Sequence, residues 1–138
     1  MARYCQGVRW ILRALRYLWA SPTTAIGLTA LALAVASGGR VRRVTGVLEV
    51  EGGMASRLLR RVRASAMTLG HVVLALDGPA HDISRAHERV HVRQCERWGP
   101  LFIPAYAAAS LIAWARGRHY YYDNCFEREA FNPENWEI

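Results

Sequence analysis

His87, Glu88 and His91 are the residues of this chain whose types and spacing could do chemistry. In the run His87-Glu88-Arg89-Val90-His91 the histidines stand four positions apart, which on an α-helix puts both imidazoles on one face. Two neutral imidazole nitrogens so placed can hold one metal ion, and such pairs suit zinc. Glu88 sits beside the pair, where its carboxylate could take a proton from a water held by the ion. The pattern is short, and a helix with a few histidines can produce it by chance. It also leaves a catalytic zinc site one ligand short, since such sites use three protein ligands and keep the fourth position for water.

The downstream run Asn124-Cys125-Phe126-Glu127-Arg128-Glu129-Ala130-Phe131 reads as a short helix. Here the chain resembles the gluzincin metallopeptidases, whose second helix supplies a zinc-binding glutamate in a Glu-x-x-Ala-Asp type motif. Glu127-Arg128-Glu129-Ala130 matches its first four letters. The likeness is to small bacterial membrane-associated gluzincin-like proteins and the compact minigluzincin peptidases, and it covers roughly His71 to Phe131. It implies that His87, His91 and Glu127 hold Zn²⁺, that Glu88 is the general base, and that the substrate is a peptide or protein. Glu129 is the alternative third ligand should the helix register differ. Gluzincins often set a Tyr or His near the metal to stabilise the oxyanion, which makes His119, Tyr120, Tyr121 and Tyr122 candidates; an aromatic cluster packed under the site is the plainer reading. The chain departs from the pattern twice. Phe131 stands where an Asp would orient a histidine ligand, and Arg89 lies between the histidines at a normally uncharged position.

The remaining nucleophilic and ligating side chains have plainer readings. His71 falls in a strand pattern and His81 in a loop, neither at helical spacing to His87, so both read as structural or surface histidines. Cys5, Cys95 and Cys125 form no close pair, which argues against a disulfide framework and for a reducing compartment. Cys125 is two residues from Glu127, a spacing that points the two side chains apart on a helix, so it reads as a buried free thiol.

The elements that must position the site can be read from periodicity. The motif helix runs from an N-cap at Ser84 to about Trp98, where Gly99-Pro100 ends it. Thr68 to Leu76 reads as a strand closed by Asp77-Gly78-Pro79, and by resemblance its edge would pair with an extended substrate. Val41 to Glu51, broken at Thr45-Gly46, reads as a strand or short hairpin, and Met54 to Arg63 as a short basic helix. Leu101 to Ala115 is apolar and packs on the motif helix or dips into a membrane. The tail after Phe131 reads as an exposed terminus. The fold class is α+β: a compact zincin-like domain with a small antiparallel or mixed sheet, a motif helix and a glutamate helix, occupying residues 40–138.

Residues 1–39 read as a separate membrane-associated segment. Arg9, Arg13 and Arg16 form one stripe of a basic amphipathic helix over residues 3–19. No charge occurs from Tyr17 to Gly39, enough to cross a bilayer, although the helix restarting at Ser21-Pro22 is itself near or below spanning length. A retained anchor is favoured over a cleaved signal, because the basic lead is long and no clean cleavage site precedes Gly38. Arginines flank the segment on both sides and continue through Arg63. With the free cysteines they tilt the catalytic portion toward the cytoplasmic face of a bacterial inner membrane, with membrane lipid as partner. The charge of +7 at pH 7 comes from 18 basic residues, all arginine, and an arginine-only excess fits coding bias as well as function. No nucleic-acid-binding signature accompanies it, so nucleic acid is not expected as a partner. Two other readings stand beside the peptidase: a zinc-binding membrane protein without turnover, and a small membrane-interaction protein whose motif is an accident.

Overall fold

The structure is a computed structural model that describes the backbone of residues 2–136 and the side chains of residues 10–136. The element order is α1 (Ala2–Trp19), α2 (Ser21–Ala36), β1 (Arg40–Val44), β2 (Val47–Glu51), α3 (Gly53–Val62), β3 (Ala66–Leu69), β4 (Val72–Ala75), α4 (Gly78–Trp98), α5 (Phe102–Ala115) and α6 (Cys125–Phe131). A 3-10 turn joins α4 to α5, and another follows α6. The fold is α+β, built on one mixed sheet of order β1-β2-β4-β3. β1 and β2 form an antiparallel hairpin, β2 and β4 run parallel, and β3 returns antiparallel to β4 as an edge.

Side-chain alternation along the strands separates two layers. Val50, Val72 and Leu74 point to one face, where they form a core with Ala34 of α2 and Ala55 and Leu59 of α3. Val47 and Val73 point to the other face, against Val92 of α4. Thr68 and Glu49 lie in this second register, so the strand period itself turns both toward the motif helix. β4 is buried at all of its positions because it is covered on both faces.

Several sequence expectations change here. The hairpin at Thr45-Gly46 forms, with both residues at positive φ as a two-residue primed turn requires. The single strand expected over Thr68 to Leu76 is instead a hairpin, because Gly70 adopts φ +65° and reverses the chain between β3 and β4. The motif helix starts earlier than Ser84. Asp77 is its cap, accepting from the Ala80 amide at 2.9 Å, with Pro79 in the first turn. Ser84 lies inside the helix and donates to the Ala80 carbonyl. The tail folds back on α6, where the Trp136 indole donates to the Ala130 carbonyl at 2.8 Å and the Asn135 amide to Glu129 O at 2.9 Å.

Residues 21–36 are built into the domain rather than set apart from it. α2 lies on the sheet so closely that a methyl group at Gly27 would collide with the Leu69 carbonyl and Val72. The uncharged run from Tyr17 is broken at Ala20, where α1 and α2 meet at 66°. Ser21-Pro22 restarts the helix there, as a proline in the first turn favours. Of the arginine stripe, Arg13 and Arg16 are described, whereas the side chains of Arg9, Arg3 and Cys5 lie outside the described residues. His71 fastens α1 and α2 to the sheet: its ring stacks on Tyr17 at 4.0 Å and bonds the Thr24 hydroxyl and Glu96. Among the described residues one helical stretch, Gly78–Ala115, is long and apolar enough by length and composition to cross a membrane, a property that core helices of soluble proteins share.

Candidate metal centre

Helix α4 carries two chemically different faces. His81, Arg85 and Arg89 follow each other at four-residue spacing and face Glu49 of β2. Arg85 grips the Glu49 carboxylate with two bonds, Nε–Oε1 at 2.8 Å and an amino nitrogen to Oε2 at 3.1 Å, and Arg42 adds a third at 2.8 Å. Burial alone would raise the Glu49 carboxyl, but these hydrogen bonds outweigh it and hold the group below the usual carboxylate range. Arg89 donates to the Val44 carbonyl at 2.7 Å and lies 3.5 Å from Glu49. The arginine inside the motif therefore faces the sheet, away from the histidines, and serves the fold. His81 bonds the Val50 carbonyl, as a structural histidine would.

The other face carries His87, His91 and Glu88 into a cleft of about 940 Å³. The four-residue spacing brings the Nε2 atoms of His87 and His91 to 3.0 Å of each other. Glu127 reaches them from α6, with Oε2 at 3.1 Å from His87 Nε2 and Oε1 at 3.3 Å from His91 Nε2. Ligand atoms about 2.0–2.1 Å from a tetrahedral ion lie about 3.3 Å apart, so these separations are compatible with one shared ion. His87, His91 and Glu127 could hold a metal ion, and they are the one such group of His, Cys, Asp or Glu among the described residues. The donor chemistry fits as well. Glu127 Oε2 is buried and accepts no hydrogen bond of acceptable geometry, its 3.1 Å approach to His87 Nε2 included, an arrangement that costs free energy unless a cation faces it. Burial would raise the Glu127 carboxyl, but the neighbouring His87 and His91 imidazoles and the Tyr106 hydroxyl outweigh it and hold the group below the usual carboxylate range.

Three further contacts set the ligands, and none was singled out from the sequence. Gln94, fully buried one turn past His91, places Oε1 at 2.8 Å from His91 Nδ1. Its Nε2 faces two acceptors, the Phe126 carbonyl and Glu129 Oε2, each at 3.0 Å. The amide must therefore turn its oxygen to His91, which must donate from Nδ1, leaving the Nε2 lone pair toward Glu127. This supplies the orienting partner that Phe131 cannot. Phe131 instead packs its ring on His87, with centroids 4.6 Å apart. Tyr106 of α5 donates to Glu127 Oε1 at 2.6 Å. Thr68 of the edge strand donates to Glu88 Oε2 at 2.7 Å, fixing the carboxylate and leaving its other oxygen unengaged by Thr68. Gln94 carries a sequence signal, since it shares a helix face with His87 and His91. Tyr106 carries none, because its reach depends on how the Gly99-Pro100 turn folds α5 back.

The other sequence candidates separate by position. Glu129 is not in the ligand group; it accepts from Gln94 and from Arg97 and so supports the site from behind. Cys125 is exposed, correcting the expectation of a buried thiol, and also lies outside the group; the buried free cysteine is Cys95. Asn124 caps α6 by accepting from the Phe126 amide and pins it to α5 through the Tyr106 carbonyl and the Ser110 hydroxyl, which holds Glu127 in register. His119, Tyr120, Tyr121 and Tyr122 all line the cleft. His119 is exposed and spends Nδ1 on the amides of Tyr121 and Tyr122, which organises the loop. Tyr121 is the half-buried one, and burial, reinforced by the negative charge of Glu127, pushes its hydroxyl upward and keeps it a donor.

No protein-family model, curated protein or solved structure matches the chain. The functional reading therefore stands on the geometry of the site.

Proposed function

We propose that the protein is a zinc metallopeptidase of compact gluzincin type, attached to the cytoplasmic face of a bacterial membrane. The observation that carries this reading is the convergence of His87, His91 and the unpartnered Glu127 oxygen on one point at the wall of an open cleft. Two imidazoles and a carboxylate suit zinc. When bound, the ion supplies Lewis acidity that lowers the pKa of a coordinated water toward neutrality. Glu88, steadied by Thr68, accepts the proton as the water oxygen bonds to the peptide carbonyl carbon. It then delivers that proton to the leaving nitrogen as the C–N bond breaks. Tyr121, which lines the cleft, would donate to the carbonyl oxygen as charge develops there, a role open to it because its hydroxyl stays protonated. β3, the sheet edge along the cleft, offers unpaired backbone groups to an extended peptide.

The rival reading is a structural zinc site without turnover. Structural sites are normally closed by four protein ligands, whereas three converge here and the cleft leaves the fourth position reachable. Elemental analysis of purified protein should give one zinc per chain, lost in the His87→Ala, His91→Ala double variant. Cleavage of a peptide pool should stop with a chelator and return with zinc. Full zinc occupancy with no cleavage of any pool would favour the structural reading, and equal zinc in the double variant would remove both.

A further inference from the structure

Helix α5 has two roles that the site alone does not explain. Its inner side builds the metal centre, through Tyr106 on Glu127 and Phe102 packed on Phe126. Its outer side is uncovered: Leu111 is 62% exposed, Ile112 50% and Trp114 66%. The helix has no charged residue, and only Phe102 and Ala113 are buried. Soluble monomers seldom leave so continuous an apolar surface in water. Fourteen residues rise about 21 Å, short of a hydrocarbon core of about 30 Å, so α5 cannot cross a bilayer alone.

The turn that leads into α5 packs against the N-terminal helices. Gly99, at the start of the turn into α5, lies against the Trp19 ring, and the Thr23 hydroxyl donates to the Gly99 carbonyl at 3.1 Å. From that corner α1 leads away with Leu18, Leu15, Ile11 and Trp10 likewise exposed. Arginines accompany both arms, Arg13 and Arg16 interleaved with the apolar residues of α1 and Arg116 and Arg118 directly after α5, within a chain of net charge +7. Trp19, Trp98 and Trp114 sit at or next to helix ends, and Trp10 lies midway along α1. Apolar faces with tryptophans and arginines alongside them are the complement of an anionic lipid surface.

We propose that α5 inserts into the bilayer interface beside the α1–α2 corner, and that the metal cleft thereby faces polypeptide emerging from the membrane. The apolar cleft residues Ile83 and Ile103 and the exposed rings of Tyr120 and Tyr122 would then meet segments at the headgroup boundary. The substrate half of this inference rests on the peptidase reading; the docking half does not.

The test uses the full-length, zinc-loaded protein with vesicles of equal phosphatidylglycerol and phosphatidylcholine carrying a phospholipid with a diazirine in its acyl chain. After irradiation, adducts located by mass spectrometry should fall on α5, at Leu111, Ile112 or Trp114, as well as on α1. Adducts confined to α1 and α2, no adducts at all, or an α5 surface already protected in a stable dimer of this chain would each overturn the docking. In the second arm the exposed pair is replaced, Leu111→Arg with Ile112→Arg. This variant should keep its zinc and its cleavage of soluble unfolded casein. It should lose about tenfold or more on a casein peptide acyl-anchored to the same vesicles, because charged side chains resist insertion. Equal rates for variant and wild type on the anchored peptide would overturn the substrate half. If the peptidase reading itself fails, neither protein cleaves either substrate while the adducts on α5 still appear.

Discussion

Replacing Gln94 with Met tests whether the metal ligands are oriented by the chain behind them. Met matches the length and volume of Gln but removes three hydrogen bonds: to His91 Nδ1 at 2.8 Å, and to the Phe126 carbonyl and Glu129 at 3.0 Å each. The Phe126 carbonyl and the His91 N–H, both buried, are left without these partners, at a cost of about 1–3 kcal/mol each before relaxation. That cost falls on folding. A separate loss falls on the metal, because His91 is freed to change tautomer and to turn its ring. Outer partners of this kind are worth about 10–100-fold in metal affinity, or about 1.4–2.7 kcal/mol. Zinc affinity would be read by competition against a chromophoric chelator, and the tautomer by the nitrogen chemical shifts of labelled His91, which should show Nδ1 protonated in the wild type. Gln94→Met should weaken zinc by that factor and raise the other tautomer. Unchanged affinity in a variant that only melts earlier would refute the orienting role and leave Gln94 as packing.

Three further predictions concern neighbours of the site. Glu129→Ala removes one of the two acceptors that fix Gln94 but keeps the Phe126 carbonyl, so zinc should be retained with a smaller loss of affinity than Gln94→Met; complete loss of zinc would make Glu129 a ligand. Thr68→Val keeps shape and removes the 2.7 Å bond to Glu88, so turnover should fall about tenfold with zinc content unchanged, and an unaltered rate would show that Glu88 needs no anchor. Glu49→Gln leaves buried arginine charge uncompensated and should cost about 3 kcal/mol near neutral pH, measured by urea unfolding. Because folding lowers the Glu49 pKa, its contribution is present above the unfolded carboxylate value and is lost as pH falls through the lower folded one. The gap between wild type and variant should therefore close in acid, and a gap independent of pH would contradict the ion-pair account.

The histidine pair was legible because helical spacing is local: His87 and His91 need only α4 to meet, whereas Glu127 came from the likeness of Glu127-Arg128-Glu129-Ala130 to the gluzincin motif. The hairpin at Thr45-Gly46 was legible for the same reason, since its turn residues dictate positive φ. What failed depended on tertiary packing or on one residue's backbone. Gly70 split an apolar run that reads equally well as one strand. Asp77 displaced Ser84 as the cap because its carboxylate, unlike a hydroxyl six residues into the helix, reaches the first free amides. That α2 spends one side on the sheet could not be read either, because it is apolar all round and its periodicity marks no face. Tyr106 and Thr68 come to the site from other elements, and no spacing along the chain relates them to the ligands.

The central claim is that Glu88 is a base facing an ion held by His87, His91 and Glu127, and Glu88→Gln addresses it most directly. Gln keeps the size and can still accept from Thr68, but it cannot take a proton at neutral pH. Wild type and variant, each with zinc measured by elemental analysis, would be compared on one peptide library. The account predicts equal zinc and a rate lower by about 10²–10⁴ in Glu88→Gln. Undiminished cleavage by the zinc-loaded variant would contradict it.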